Sequence, residues 1–148
     1  MSIEIARTAN AELVSAMERL IPQLSRSSAP LDTSGCERLL TQPGVTLFLF
    51  RPDTPNGDEE QPILGMLSLV TFEIPTGIRA WIEDVVVDNE ARGQGAGQAL
   101  VEAAIAHAKE LGARTVDLTS RPSREAANRL YQRCGFLLRD TNVYRFNG

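Results

Sequence analysis

Apolar and polar positions along this chain change period several times, and each change marks an element. Ile3 and Ile5 alternate with polar residues, which predicts a first strand. Thr8 or Asn10 is placed to cap a helix in which Leu13, Val14, Met17, Leu20, Ile21 and Leu24 recur at helical spacing, with Pro22 ending or kinking it. Ser25 to Pro30 is loop-like, and Ser34-Gly35-Cys36-Glu37 reads as a capping box before Leu39 and Leu40. Val45 to Phe50 predicts a second strand, Ile63 to Phe72 a third and Ile78 to Val87 a fourth. Pro52 to Pro62, polar and acidic, predicts a hairpin loop. A helix follows from Gln98 to Leu111, stopped by Gly112. Thr115 to Thr119 reads as a strand and Arg124 to Arg133 as a helix. Phe136–Leu138 with Val143–Phe146 reads as a terminal β-hairpin. The order describes a mixed α/β sheet with one βαβ crossover, from the fourth strand to the fifth. In such a sheet, ligands sit at the carboxyl ends of the parallel strands.

At one such end stands Val85-Val86-Val87-Asp88-Asn89-Glu90-Ala91-Arg92-Gly93-Gln94-Gly95-Ala96-Gly97. A short apolar run breaks into a glycine-rich turn that opens directly into a helix. That layout aims free backbone N–H groups and the positive end of a helix dipole at one point, which suits a phosphate or pyrophosphate. Three glycines in five positions let the backbone approach a ligand with no Cβ in the way. No Lys follows them, so a Walker-type loop is excluded. Counting from Gly93 or Gly95 puts Gln98 or Leu100 at the third glycine site of a dinucleotide fingerprint, which is excluded too. What remains is R-x-x-G-x-G, from Arg92 through Gly95 to Gly97, or a glycine-rich turn that holds no ligand.

The R-x-x-G-x-G run resembles the pyrophosphate-binding signature of the GNAT superfamily of acyl-CoA-dependent N-acyltransferases. A second segment, Ala126-Ala127-Asn128-Arg129-Leu130-Tyr131-Gln132-Arg133-Cys134-Gly135-Phe136, resembles the same superfamily's later motif, A-x-x-L-Y-x-x-x-G-F. The likeness runs from about Trp81 to Phe146 and is only architectural before that. It implies a mostly antiparallel sheet with a splayed central parallel strand pair and flanking helices, formed as one domain over residues 1–148. It also implies acetyl-CoA as acyl donor. Val85, Val86 and Val87 would then offer backbone groups to the pantetheine arm. Arg92, Gly93, Gln94, Gly95, Ala96 and Gly97 would hold the pyrophosphate, and Asn128 would touch the cofactor from the last helix. One departure stands out. Many relatives carry Asn seven residues before the Tyr, where this chain has Arg124; either Asn128 substitutes, or Arg124 makes a different contact, such as one to a phosphate.

Acyl transfer to an amine poses two proton problems. An amine of pKa about 10.4 is neutral in only ~1 molecule in 10³ near pH 7, and the departing thiolate needs a proton. Tyr131, with an ordinary pKa of about 10, is suited to supply that proton, and the resemblance places it near the sulfur. Its alternative is a packed helix Tyr with a satisfied hydroxyl. Glu83 and Asp84 interrupt an apolar strand, where an unpaired buried carboxylate is costly. Adjacent strand residues face opposite ways, so the two are not placed alike. The E-D-V-V-V run resembles family members acting on glucosamine phosphate and diamines. That makes Glu83 a candidate base, directly or through water, and Asp84 a substrate or structural partner. A strand-edge pair bonded to backbone or Arg is the alternative.

His107 lies on the apolar stripe of its helix and reads as structural, and Cys134 as a small packing residue. No metal site is expected. The 148 residues are 43% hydrophobic and 23% charged, ordinary for a globular chain. A formal net charge of −4 argues against nucleic acid as partner and means that an anionic cofactor needs a local basic site. No apolar stretch is long enough for a membrane span. The N-terminus lacks a signal-peptide pattern, and Cys36 and Cys134 show no disulfide framework; together these imply a cytoplasmic location. The expected function is acetyl transfer to a small amine. A protein or peptide N-acetyltransferase and a non-catalytic acyl-CoA-binding module are the alternatives, and the oligomeric state, a homodimer among the options, stays open.

Overall fold

A computed structural model describes residues 1–54 and 61–148. In chain order the elements are β1 (Ser2–Ile5), α1 (Ala11–Leu24), α2 (Thr33–Thr41), β2 (Val45–Arg51), β3 (Gly65–Ile74), β4 (Gly77–Val87), a short 3-10 turn (Asn89–Ala91), α3 (Ala96–Glu110), β5 (Thr115–Asp117) and α4 (Glu125–Arg133). The described strands form one sheet in the order β1-β2-β3-β4-β5. Its first three pairings are antiparallel, and β4–β5 is parallel. The hairpin loop expected over residues 52–62 lies partly outside the described residues.

Strand β2 explains how the sheet is sandwiched. Its apolar run is continuous, because Phe48 and Phe50 point to one face and Leu47 and Leu49 to the other. On the first face the two Phe rings pack with Leu67, Leu69, Ala80 and Ile82 against Leu100, Val101, Ala104 and Ala108 of α3. On the second, Leu47, Leu49, Met66 and Val86 meet Leu13, Ala16, Met17 and Leu20 of α1 and Cys36 of α2. His107 is half-buried on α3, edge-on to Phe48 with ring centroids 5.7 Å apart, and so has the structural place expected of it.

Three local expectations need correction. Asn10 caps α1, accepting from the Leu13 N–H at 2.9 Å, but Pro22 does not end the helix there. It sits in the last turn, where it removes one ladder bond, to the Glu18 carbonyl, and the helix stops two residues later at Leu24. Asp32, not Ser34, caps α2, accepting from the Gly35 N–H at 2.8 Å; Ser34 lies inside the helix and accepts from Arg38. An Asp two residues earlier is the better anionic acceptor at a helix N-terminus. The terminal β-hairpin is not formed. Beyond Phe136 no residue is in a strand, and Leu137, Leu138, Val143, Tyr144 and Phe146 are exposed. A hairpin needs a neighbouring strand or helix to cover its apolar face, and the tail pairs with neither β5 at the end of the sheet nor any other described strand.

Arg51 ties β1, β2 and α1 together. Its buried guanidinium donates to Glu12 through two nitrogens, at 2.6 and 2.9 Å, to Glu4 at 2.7 Å and to the Gln61 carbonyl at 2.6 Å. The hydrogen bond from Arg51 holds the Glu12 carboxyl below its ordinary pKa of 4.5. A lowered carboxyl pKa gives stability that is present above the unfolded value and lost as pH falls through the folded one. Glu12→Gln is therefore expected to melt lower than the parent at pH 7. The deficit is about 1 kcal/mol after discounting for a carboxylate open to solvent. The difference should shrink below pH 4.5 and vanish in stronger acid, as thermal melts across pH will show.

Candidate active site

The site begins with an irregularity in β4. Met66 pairs with Val86, and Ser68 with Glu83, so the single residue Leu67 faces two, Asp84 and Val85. This is a β-bulge, which bends and twists the strand that carries the extra residue. Asp84 adopts φ +50°, unique among the described non-glycine residues. Asp is among the side chains that tolerate this region, at a cost of order 1–3 kcal/mol. The core holds it there. Upstream, Ala80 and Ile82 pack toward α3, whereas downstream Val85 and Val87 do so and Val86 turns to the other face. The bulge is what reverses the alternation.

Pairing between β4 and β5 ends where the bend takes effect. Arg79, Ala80 and Trp81 oppose Thr115, Val116 and Asp117, and there the ladder stops. Beyond it the strands diverge around a recess of about 140 Å³ lined by Ile82, Asp84, Val85, Leu118, Thr119, Arg124, Tyr131 and the end of α1 at Leu24. A wider groove of about 810 Å³ continues along Val85–Val87, past Arg92–Gly97, to the face of α4 that carries Arg129, Leu130 and Arg133.

The far end of the groove is the glycine turn. Gly93 and Gly95 have φ of +80° and +77°, and Gly95 stands at the N-cap of α3 without a capping side chain. The first bond into the helix is Ala99 N–H to the Gly95 carbonyl at 3.0 Å, so the N–H groups from Gly93 to Gln98 donate to nothing in the described chain. Unpaired donors with a helix dipole behind them form an anion cradle. Arg92, Arg124, Arg129 and Arg133 line the same groove with Glu125 as the one acid, a basic site on an acidic chain. Gly97 serves packing. A Cβ there would stand 3.0 Å from Leu130, so its absence lets α3 and α4 touch.

Tyr131 sits on α4 with its ring edge-on to Phe136 at 6.0 Å. Its hydroxyl has no hydrogen-bond partner among the described residues, and Tyr131 lines the recess that Asp84, an exposed residue, also lines. Burial pushes its pKa above 10.0, with the Arg124 charge pulling partly the other way, so it is protonated through the neutral range and able to donate.

Not every candidate meets here. Glu83 is exposed, opposite Ser68, and lines neither space. Gln94 lies outside both linings. Asn128 uses its side-chain amide on the Arg121 and Arg124 carbonyls, at 2.9 and 2.8 Å, fastening the loop before α4. Arg124, by contrast, borders both recess and groove. Leu24, Leu118 and Thr119 were missed as site residues, since nothing local marks them; they reach the recess through the fold. Among the described residues no cluster of His, Cys, Asp or Glu could hold a metal ion.

Comparison with known proteins follows this geometry. The family model for the acetyltransferase (GNAT) family matches residues 15–136. A 57-residue stretch, 38% of this chain, is 39% identical to a mycothiol acetyltransferase of Propionibacterium freudenreichii; the stretch spans only 18% of that relative's length. A candidate acetyltransferase from Agrobacterium tumefaciens superposes with a TM-score of 0.81 at 25% identity, covering 99% of this chain and 100% of the other. An aminoglycoside acetyltransferase from an uncultured soil metagenomic sample, solved with sisomicin, superposes with a TM-score of 0.78 at 19% identity, over 99% and 95% of the two chains; at that identity the likeness is one of fold.

The groove predicts selective stabilisation by its ligand. Saturating CoA at about 100 times its Kd should stabilise the folded chain by about 2.7 kcal/mol, while NAD does far less, as thermal shift will show. Gly95→Asp should abolish the CoA effect, since a carboxylate enters the anion cradle at a left-handed position. An unchanged CoA shift in that variant would move the phosphate site elsewhere.

Proposed function

The chain belongs to the GNAT family of acetyltransferases, and we propose that it transfers the acetyl group of acetyl-CoA to a primary amine of a small molecule by direct attack. The observation that carries this reading is the alignment of two spaces. A groove with an anion cradle at one end runs into a recess that Asp84 and Tyr131 both line.

The residues present fit the cofactor. The cradle from Gly93 to Gln98 suits a pyrophosphate, with Arg92, Arg129 and Arg133 beside it. The edge of β4 from Val85 to Val87, which β5 leaves unpaired, offers backbone groups to an amide-bearing arm in the manner of an added strand. When bound, acetyl-CoA supplies an activated acyl thioester. The chain's own part is positioning and proton transfer. Asp84 takes the proton of the incoming ammonium, directly or through water, so that the free amine attacks. Tyr131 gives its proton to the sulfur as the carbon–sulfur bond breaks, and regains one from solvent. Arg124 stands beside Tyr131 and favours its anion between those two events.

The narrow recess supports a small acceptor: it admits an aminoalkyl arm. Cys36 and Cys134, both free thiols, support a reducing compartment such as the cytoplasm. No described helix is long and apolar enough to cross a membrane.

Acetyl-CoA consumption against polyamines, amino sugars, amino acids and peptides tests the acceptor class; turnover confined to peptides would overturn the small-molecule reading. With an acceptor in hand, Tyr131→Phe should lower kcat by about 10²-fold with CoA affinity little changed. Asp84→Asn should lower it by about 10²-fold or more, and Glu83→Gln by less than about threefold. A reversed order for the two acids would make Glu83 the base.

A further inference from the structure

The recess carries two charges of opposite sign that do not pair with each other. Asp84 and Arg124 are the charged residues of its lining, set among Leu24, Ile82 and Leu118 with the hydroxyl of Thr119. Neither the Asp84 carboxylate nor the Arg124 guanidinium makes a hydrogen bond or ion pair among the described residues. A lone carboxylate suits any amine, and a lone guanidinium any acid. Together in one small space they suit a molecule that carries an ammonium and an acid group close to one another. Arg124 is also surplus to the anion cradle. That end of the groove already has Arg92, Arg129 and Arg133 beside it, and of these four arginines Arg124 alone lines the recess as well. Its charge is felt at Tyr131, where it works against the effect of burial. Its backbone is fixed independently of its side chain, because the Arg124 carbonyl accepts from the Asn128 N–H at 3.0 Å and from the Asn128 amide at 2.8 Å.

Resting on the acetyl-transfer reading, we propose that the acceptor is a free amino acid, with Asp84 receiving the α-amine and Arg124 holding the α-carboxylate. The size agrees. A recess of about 140 Å³ is of the order that takes one benzene-sized ligand, which matches an ammonium, the carbon between and a carboxylate. Other amines fit the charges less well. A diamine brings its second cation beside Arg124, and a peptide N-terminus has a neutral amide where the carboxylate would lie. In the reaction the new nitrogen–carbon bond forms and the carbon–sulfur bond breaks. Nitrogen loses two protons, the first to Asp84. Sulfur gains one from Tyr131, which recovers it from solvent, and one proton is released per turnover. The carboxylate takes no part in this exchange, so Arg124 acts on it by binding alone. Once Asp84 has passed its proton to solvent, the product has lost its cation and keeps its anion, and Asp84 then repels it.

The test sets each common L-amino acid beside its own amide in an acetyl-CoA consumption assay. The amine of the amide is the less basic, so more of it is free, and a site blind to the carboxylate favours the amide. At least one amino acid is expected to exceed its amide by about tenfold or more in kcat/KM. Arg124→Gln should bring that ratio to one or below, whatever it does to the rate through Tyr131, and Arg124→Lys should restore part of it. With CoA saturating, calorimetry should show the preferred amino acid binding the parent about tenfold more tightly than the Arg124→Gln variant, a readout that needs no turnover. Amides preferred throughout, or a preference for the acid that Arg124→Gln leaves intact, would overturn the proposal and leave acetyl transfer to small amines standing. No turnover of any amine would overturn that reading, and the proposal with it.

Discussion

The site depends on one constraint: β4 carries a residue more than its partner β3 can match. With Leu67 opposite both Asp84 and Val85, β4 must bend, and the bend carries it away from β5 just past the Trp81–Asp117 pair. The strained backbone of Asp84 is the cost. It is met by the core on either side, where Ile82 and Val86 are locked into opposite hydrophobic clusters. Removing the bulge would send one of those two side chains to the opposite face and into the wrong cluster. The same feature therefore opens the recess, frees the edge of Val85–Val87 and places Asp84 in the lining that Tyr131 shares.

Electrostatics supply the second half of the site. An acidic chain cannot draw an anionic ligand through its overall field. The attraction has to be local, and the structure concentrates it. Backbone N–H groups at the start of α3 stay unpaired because Gly95 brings no capping side chain, and arginines from the turn and from α4 converge on the same groove. Arg124 joins this cluster at its boundary with the recess, where it also moderates the Tyr131 hydroxyl. An Asn at that position could offer a hydrogen bond but not this charge.

Much of this was legible in the sequence, and the rest was hidden for identifiable reasons. The glycine turn and the Leu130-Tyr131 helix carry strong local signals, and both line the groove. The bulge was not legible. The positions that pack toward α3 run Ala80, Ile82, then Val85 and Val87, a break in parity across Glu83 and Asp84, but the unbroken apolar run Val85-Val86-Val87 conceals it. Reading the strand as regular leaves the two acids indistinguishable, whereas the bulge puts Asp84 in the recess and Glu83 outside it. Leu24 and Thr119 could not be found locally, because they arrive through tertiary contact. Asn128 had a plausible motif position, but its amide is committed to the loop before α4. The tail shows the limit of pattern reading. Its alternation is that of a strand, but a strand also needs an edge to pair with, and within one chain that edge goes unused.

The most direct measurement is an NMR titration of the isotope-labelled chain with CoA. Saturable shifts are predicted at the amides of Gly95, Ala96 and Gly97 and along Val85–Val87, with β1 and β2 unmoved. Saturable binding that leaves the glycine-turn amides in place, or that moves β1 and β2 instead, would contradict the account.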